Sequence, residues 1–170
     1  MLKNKIKIMS RKVAENLIES GFSNNTAVIS FCDPKSKRTP KDYMPVDYTN
    51  VCDRVFTVAV HDIDIEILKD FGLTFDTYFP EAKELATFIK QAVNDGLDII
   101  CQCEYGQSRS AACAAAIMEY YDKRGVEIFA DYRYYPNQMI FNKLLDALND
   151  KEMRISEIIE QYHDLLEKLK

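Results

Sequence analysis

The run Leu97-Asp98-Ile99-Ile100-Cys101-Gln102-Cys103-Glu104-Tyr105-Gly106-Gln107-Ser108-Arg109-Ser110 passes from an apolar strand into a helix through a loop with one glycine. Residues 97–103 have the composition of a strand buried in a sheet. From Ser110 onward the chain is dense in alanine, and a small-residue helix is expected over 108–122. A strand that leads through a short loop into a helix is the unit of parallel α/β sheets. The loop lies outside the carboxyl end of its strand, where such sheets build anion sites.

Working outward, residues 6–9 alternate as a short strand, and 11–20 read as a helix ended by Gly21 and the cluster Ser23-Asn24-Asn25. Residues 27–32 form a compact apolar run, the mark of a strand buried on both faces. Residues 33–50 hold prolines and polar residues and are expected to be a loop; Lys35, Lys37, Arg38 and Lys41 make it the one basic stretch of an acidic chain. A β-branched strand is expected over 54–60, and a helix over 78–94, with Pro80 in its first turn and Gly96 as its stop. Pro136-Asn137 opens a helix to 149. A last amphipathic helix, 155–169, carries apolar residues at helical spacing from Ile155 to Leu169. The expected fold class is α/β: a single domain over 1–170, with a mostly parallel sheet of four to five strands flanked by helices.

Composition narrows the function. The 170 residues are 47% hydrophobic and 29% charged, which suits a globular core rather than disorder. A net charge of -5 argues against a nucleic-acid partner, because phosphate backbones require a basic surface. No run is long enough to span a membrane, and the N-terminus lacks an apolar signal core. The five cysteines, Cys32, Cys52, Cys101, Cys103 and Cys113, are an odd set that fits reduced thiols in a cytoplasm better than a disulfide framework. His61 and His163 lack companions at ligand spacing, so neither a metal nor another cofactor is expected.

At Cys103 the chemistry becomes specific. The helix that follows points unpaired N–H groups and its positive dipole end into the loop. Gly106 permits the tight curl that brings the loop donors of Glu104, Tyr105, Gly106, Gln107 and Ser108 together around an anion. Arg109 adds a planar fork for two phosphate oxygens. The same positive field favours the ionised, nucleophilic sulfur, and Ser110 can hydrogen-bond that sulfur and help it leave.

Cys, five residues, Arg and then Ser, set between a buried strand and a helix, resembles the signature of the cysteine-dependent protein tyrosine phosphatase superfamily. The order of Phe56 to Asp62, the helix from Tyr78, and Pro136-Asn137 before Phe141 is similar to that of compact bacterial dual-specificity enzymes, over roughly two-thirds of the chain. The resemblance implies a metal-free phosphatase in which Cys103 is the nucleophile and Arg109 and the loop amides bind phosphate. It also implies an Asp that protonates the leaving oxygen, from the loop after an upstream strand. Asp62, at the end of that strand, is the first candidate; Asp64 and Asp70 follow. Asn137 resembles the residue that braces the family's loops, though by position it is also a helix N-cap.

The resemblance is incomplete in two places. The family usually carries His before the nucleophile, where this chain has Gln102, which cannot add a cationic ring. The segment 123–135 is shorter than in typical members, which usually fit another helix there. The expected substrates are a phosphorylated protein, phosphotyrosine first and phosphoserine or phosphothreonine next, or a small phosphomonoester. A catalytically silent phosphate-binding module is the alternative, and sulfur or arsenate chemistry on a similar loop is a third. Smaller expectations concern Cys101, which could trap an oxidised Cys103 as a disulfide, and the tyrosines of 120–121 and 132–135, which pack or line a substrate rim. The physiological substrate and the oligomeric state are not encoded in any visible pattern.

Overall fold

The computed structural model describes residues 3–149; the expected helix 155–169, with His163, lies outside the described residues. Four strands, β1 (Ile6–Ser10), β2 (Thr26–Cys32), β3 (Val55–Ala59) and β4 (Asp98–Cys103), form one sheet in the order β1-β4-β2-β3. Every pairing is parallel, with Ile8 and Ile29 both opposite Cys101 and Phe56 opposite Ile29. The carboxyl ends of all four strands therefore open toward the same edge.

Alternation along β2 and β4 sorts the two faces of the sheet. Ala27, Ile29, Phe31, Ile99, Cys101 and Cys103 face the larger core, which is closed by α2 (Ala82–Asn94), α3 (Arg109–Asp122) and α5 (Gln138–Leu148). Val28 and Ile100 face a smaller core closed by α1 (Arg11–Ser20) together with Val46 and Tyr48 of the 33–50 loop. The alanines of α3 are fully buried from Ala111 to Ala116, so this helix lies close against its neighbours, where larger side chains would not fit. Among the described residues no helix is long and apolar enough to cross a membrane.

Two expectations about segments are corrected. The helix expected from Tyr78 begins only at Ala82. Thr74 and Thr77 bond one another in a turn, Tyr78 N–H donates to Thr74 O, and Phe79 takes a positive φ of 55°. That bend buries both aromatic rings, and Pro80, with no N–H to give, precedes the helix rather than joining its first turn. The segment 123–135, expected to lack a helix, holds the short α4 (Val126–Ala130). A 3₁₀ helix, Ile65–Phe71, was also not expected; its spacing of Ile65, Leu68 and Phe71 matches the threefold 3₁₀ period, and Gly72 caps it at φ 68°.

Candidate active site

Cys103 ends β4, and its sulfur lies at the bottom of the loop that follows. Gly106 N–H donates to Sγ at 3.2 Å, and Ser110 Oγ, in the buried first turn of α3, lies 3.0 Å from it. Gly106 has φ 70°, and a Cβ there would stand 2.6 Å from the Ser10 nitrogen and 2.8 Å from the Met9 carbonyl carbon. The loop is thus pressed against the end of β1, and only glycine fits. Ser108 occupies the N-cap position of α3 without a capping bond of its side chain. The hydroxyl goes instead to Asp62 Oδ1, at 2.6 Å.

The rest of the loop is tied down from both sides. Arg11 N–H donates to Glu104 O at 3.1 Å, and its Nε donates to Glu104 Oε2 at 2.8 Å. One terminal nitrogen, Nη2, donates to Met44 O at 2.6 Å. On the opposite side Tyr135 N–H donates to Gln107 O at 2.9 Å. Tyr105 is 78% exposed and stands at the rim.

Arg109 is only 3% exposed. One terminal nitrogen donates to Asp33 Oδ1 at 2.7 Å and to Val60 O at 2.8 Å. Burial works against the guanidinium charge, but Asp33, Asp62 and Cys103 outweigh it, and its pKa is raised. Its Nε is buried and has no hydrogen-bond partner; the nearest carboxylate oxygen paired with it, Asp62 Oδ2, is 3.8 Å away. A buried charged donor without a bond is costly and calls for an anion.

Of the three candidate acids, Asp62 is the one bonded to the loop. It accepts from Ser108 and, at 3.1 Å, from Asn137 Nδ2. Asn137 also donates to Ile63 O at 3.0 Å, and its own Oδ1 caps α5 by accepting from Ile140 N–H at 3.0 Å. The brace and the N-cap expected as alternatives are both present, one made by the amide nitrogen and the other by the amide oxygen. Asp64 precedes the 3₁₀ helix and lines a groove beside the loop, while Asp70 lies exposed within that helix.

Gln102 points away from the thiol. Its Oε1 accepts from Ser30 Oγ at 2.7 Å and from Tyr48 OH at 3.2 Å, on the α1 side of the sheet. Burial holds the Tyr48 phenol protonated by raising its pKa, so it remains a donor. Cys101 shares the Cys103 face, but its free thiol is hydrogen-bonded with that of Cys113, whose pKa is pushed well up by burial and by this neighbour. His61 packs against Phe71 at 4.8 Å between ring centroids, and its backbone carbonyl accepts from Tyr78 OH. Among the described residues no cluster of His, Cys, Asp and Glu is placed to hold a metal.

Asp33 and Arg11 were missed from the sequence. Asp33 directly follows the buried strand β2, which lies beside β4 in parallel, so both strands deliver their next residues to the same edge. That topology is the signal that could have found it. Arg11 carries no comparable mark: its local partner is Glu15, and the partners that tie it to the site come from 33 and 93 residues away.

No family model matches the sequence, and the curated proteins contain no match to it. Solved structures do match. A variant of human DUSP28 superimposes with a TM-score of 0.50 at 17% identity, over 88% of this chain and 92% of that one. Human tyrosine phosphatase-like serine/threonine/tyrosine-interacting protein gives 0.51 at 15% identity, over 81% and 83%. The chain shares its α/β fold with these two phosphatase-like structures.

Proposed function

We propose that the protein hydrolyses phosphate monoesters through a cysteinyl-phosphate intermediate, with phosphotyrosine its foremost substrate. The observation that carries this is the unbonded, buried Nε of Arg109 beside a sulfur that already accepts from a loop amide. A phosphate seated there would bond Nε and the loop N–H groups and face Sγ. Sγ then forms a bond to phosphorus while the ester P–O bond breaks. Asp62, held at the rim by Ser108 and Asn137, gives its proton to the departing oxygen. Water next attacks phosphorus, returning a proton to Asp62, and the P–S bond breaks with Ser110 hydrogen-bonding the leaving sulfur. Tyr105 and Tyr135 at the rim favour an aryl ester, whose ring can lie against them. Phosphoserine and phosphothreonine follow as weaker substrates. The free thiols suit work in a reducing cytoplasm.

The alternative, a silent phosphate-binding module, rested on Gln102 in place of histidine. The bonds of Gln102 run to Ser30 and Tyr48 on the opposite side of the sheet from Sγ, which weakens that argument. The test is hydrolysis of a small aryl phosphate at mildly acidic pH. Wild type turns over and Cys103→Ser is inactive while still stabilised by tungstate. An inert wild type that tungstate nonetheless stabilises would replace the enzyme with the binding module.

A further inference from the structure

Beside the phosphate loop lies an open groove of about 600 Å³. Its walls include Asp64, Glu66, Phe75, Phe129 and Tyr135. Ser108 and Asn137 line it as well, so it opens directly off the candidate active site. Among the described residues the acidic or basic side chains that line it are Asp64 and Glu66, and each is exposed. Tyr135 turns a 73% exposed ring to this groove, while Phe129, 39% exposed, packs edge-to-face on Phe141 at 5.0 Å between ring centroids. Lys143 lies over the Phe75 ring at 5.1 Å but is not itself a wall residue; its Nζ is held by the carbonyls of Phe75 and Asp76.

Carboxylates and aromatic faces together select a cation carried on an apolar stem. We propose that this groove is a subsite for a lysine or arginine side chain adjacent to the phosphorylated residue of a protein substrate. The proposal rests on the phosphatase reading above and adds the sequence context that the enzyme selects. The 3₁₀ helix carries the groove's Asp64-Ile65-Glu66 edge at its start and meets the basic loop at its end, where Arg38 lies over the Phe71 ring at 4.1 Å. The mouth is therefore electrically polar, acidic on the groove side and basic on the 35–41 side. A cationic neighbour of the phosphoresidue belongs on the acidic side, which also fixes the direction in which a peptide lies.

The test compares alanine-based phosphotyrosine peptides that carry Lys, Gln or Glu immediately before or after the phosphotyrosine. Small aryl phosphate hydrolysis serves as the internal reference. Wild type should favour Lys over Glu by about fivefold in kcat/KM at one of the two positions, with Gln between them. Glu66→Gln should shrink that ratio and Glu66→Lys should invert it; being ratios within one variant, these readings do not depend on how well the variant folds. Equal rates for all three peptides, or a preference untouched in Glu66→Lys, overturns the subsite. Should the aryl phosphate not be hydrolysed at all, the phosphatase reading fails by itself. The same peptides are then titrated calorimetrically onto wild type, where a Lys preference lost in Glu66→Lys upholds the subsite and equal affinities remove it.

Discussion

The loop 103–109 and the segment 60–71 that faces it are held in different ways. The loop is fixed largely through its backbone: Glu104 O and Gln107 O accept from Arg11 and Tyr135, and Gly106 is pressed against the end of β1. The facing segment is held largely by side chains that arrive from elsewhere. Arg109 grips Val60 O, Tyr78 grips His61 O, and Asn137 grips Asp62 and Ile63 O. A backbone-held wall can be broken only by moving the chain, whereas a side-chain-held wall can be taken apart one group at a time. The phosphate cradle should therefore be a fixture of the fold, and the acid segment an adjustable addition to it.

The largest effect should come where chemistry separates most cleanly from folding. Asp62→Asn keeps the shape of the side chain and removes its proton, so kcat should fall by about 10²–10⁴. Thermal stability should stay near that of wild type. Asp64→Asn, by contrast, should change aryl phosphate hydrolysis less than about threefold, since Asp64 lacks the bonds to Ser108 and Asn137 that hold Asp62. A pH–rate profile of both variants checks the assignment: the limb due to the acid should vanish in one only. If it vanishes in Asp64→Asn, the two residues exchange roles.

On the cradle side Gly106→Ala should fail in both respects at once. The new methyl meets backbone atoms of Met9 and Ser10, which cannot swing aside as a side chain could. Displacing the loop by even about 1 Å can cost roughly 10²-fold in turnover, and the crowding should cost about 1–3 kcal/mol of stability. Denaturant unfolding alongside kinetics measures both. A variant with full activity would show that the loop backbone is not the rigid wall described above.

The same contrast explains what the sequence disclosed. Cys103, Gly106, Arg109 and Ser110 stand within eight positions, so the strand–loop–helix around them is a local pattern, and the parallel sheet follows from repeating it. The wall that distant side chains hold was only half legible. Asp62 could be nominated from its place after a strand, but its bond to Ser108 spans 46 positions and its bond to Asn137 spans 75. Asp33 was invisible until β2 and β4 were known to be neighbours. The late start of α2 was hidden for a related reason: the pattern from Tyr78 to Asn94 is helical in its apolar spacing, yet burying Tyr78 and Phe79 together takes a positive φ that no propensity announces.

Asn137 tests the side-chain wall more finely, because its two ends do different work. Asn137→Ala loses the brace on Asp62 and Ile63 together with the cap of α5, and stability should drop by about 1–2 kcal/mol. Asn137→Ser can restore the cap, since serine is as good an N-cap, but it is too short to rebuild the brace. Both variants should lose about tenfold in kcat, and only the alanine variant should lose much in melting temperature. Equal kcat for Asn137→Ser and wild type would mean that Ser108 alone is enough to hold Asp62.

The smallest effect concerns His61, at the start of the same segment. Burial is the main cause that lowers its pKa; Asp33 opposes this, and Arg109 and Arg38 reinforce it. The folded state thus binds a proton at His61 less readily than the unfolded chain does. No stability is lost above the unfolded value of about 6.5, and it declines as pH falls through that value toward the lower folded pKa. Melting temperatures between pH 7.5 and 5.5 should therefore fall slightly more for wild type than for His61→Gln, which keeps a polar side chain but cannot take up the proton. Aryl phosphate hydrolysis by the two proteins over the same range separates this from catalysis. A histidine that only fills space beside Phe71 leaves the two rate profiles parallel, whereas one that relays a proton to Asp62 changes their shape.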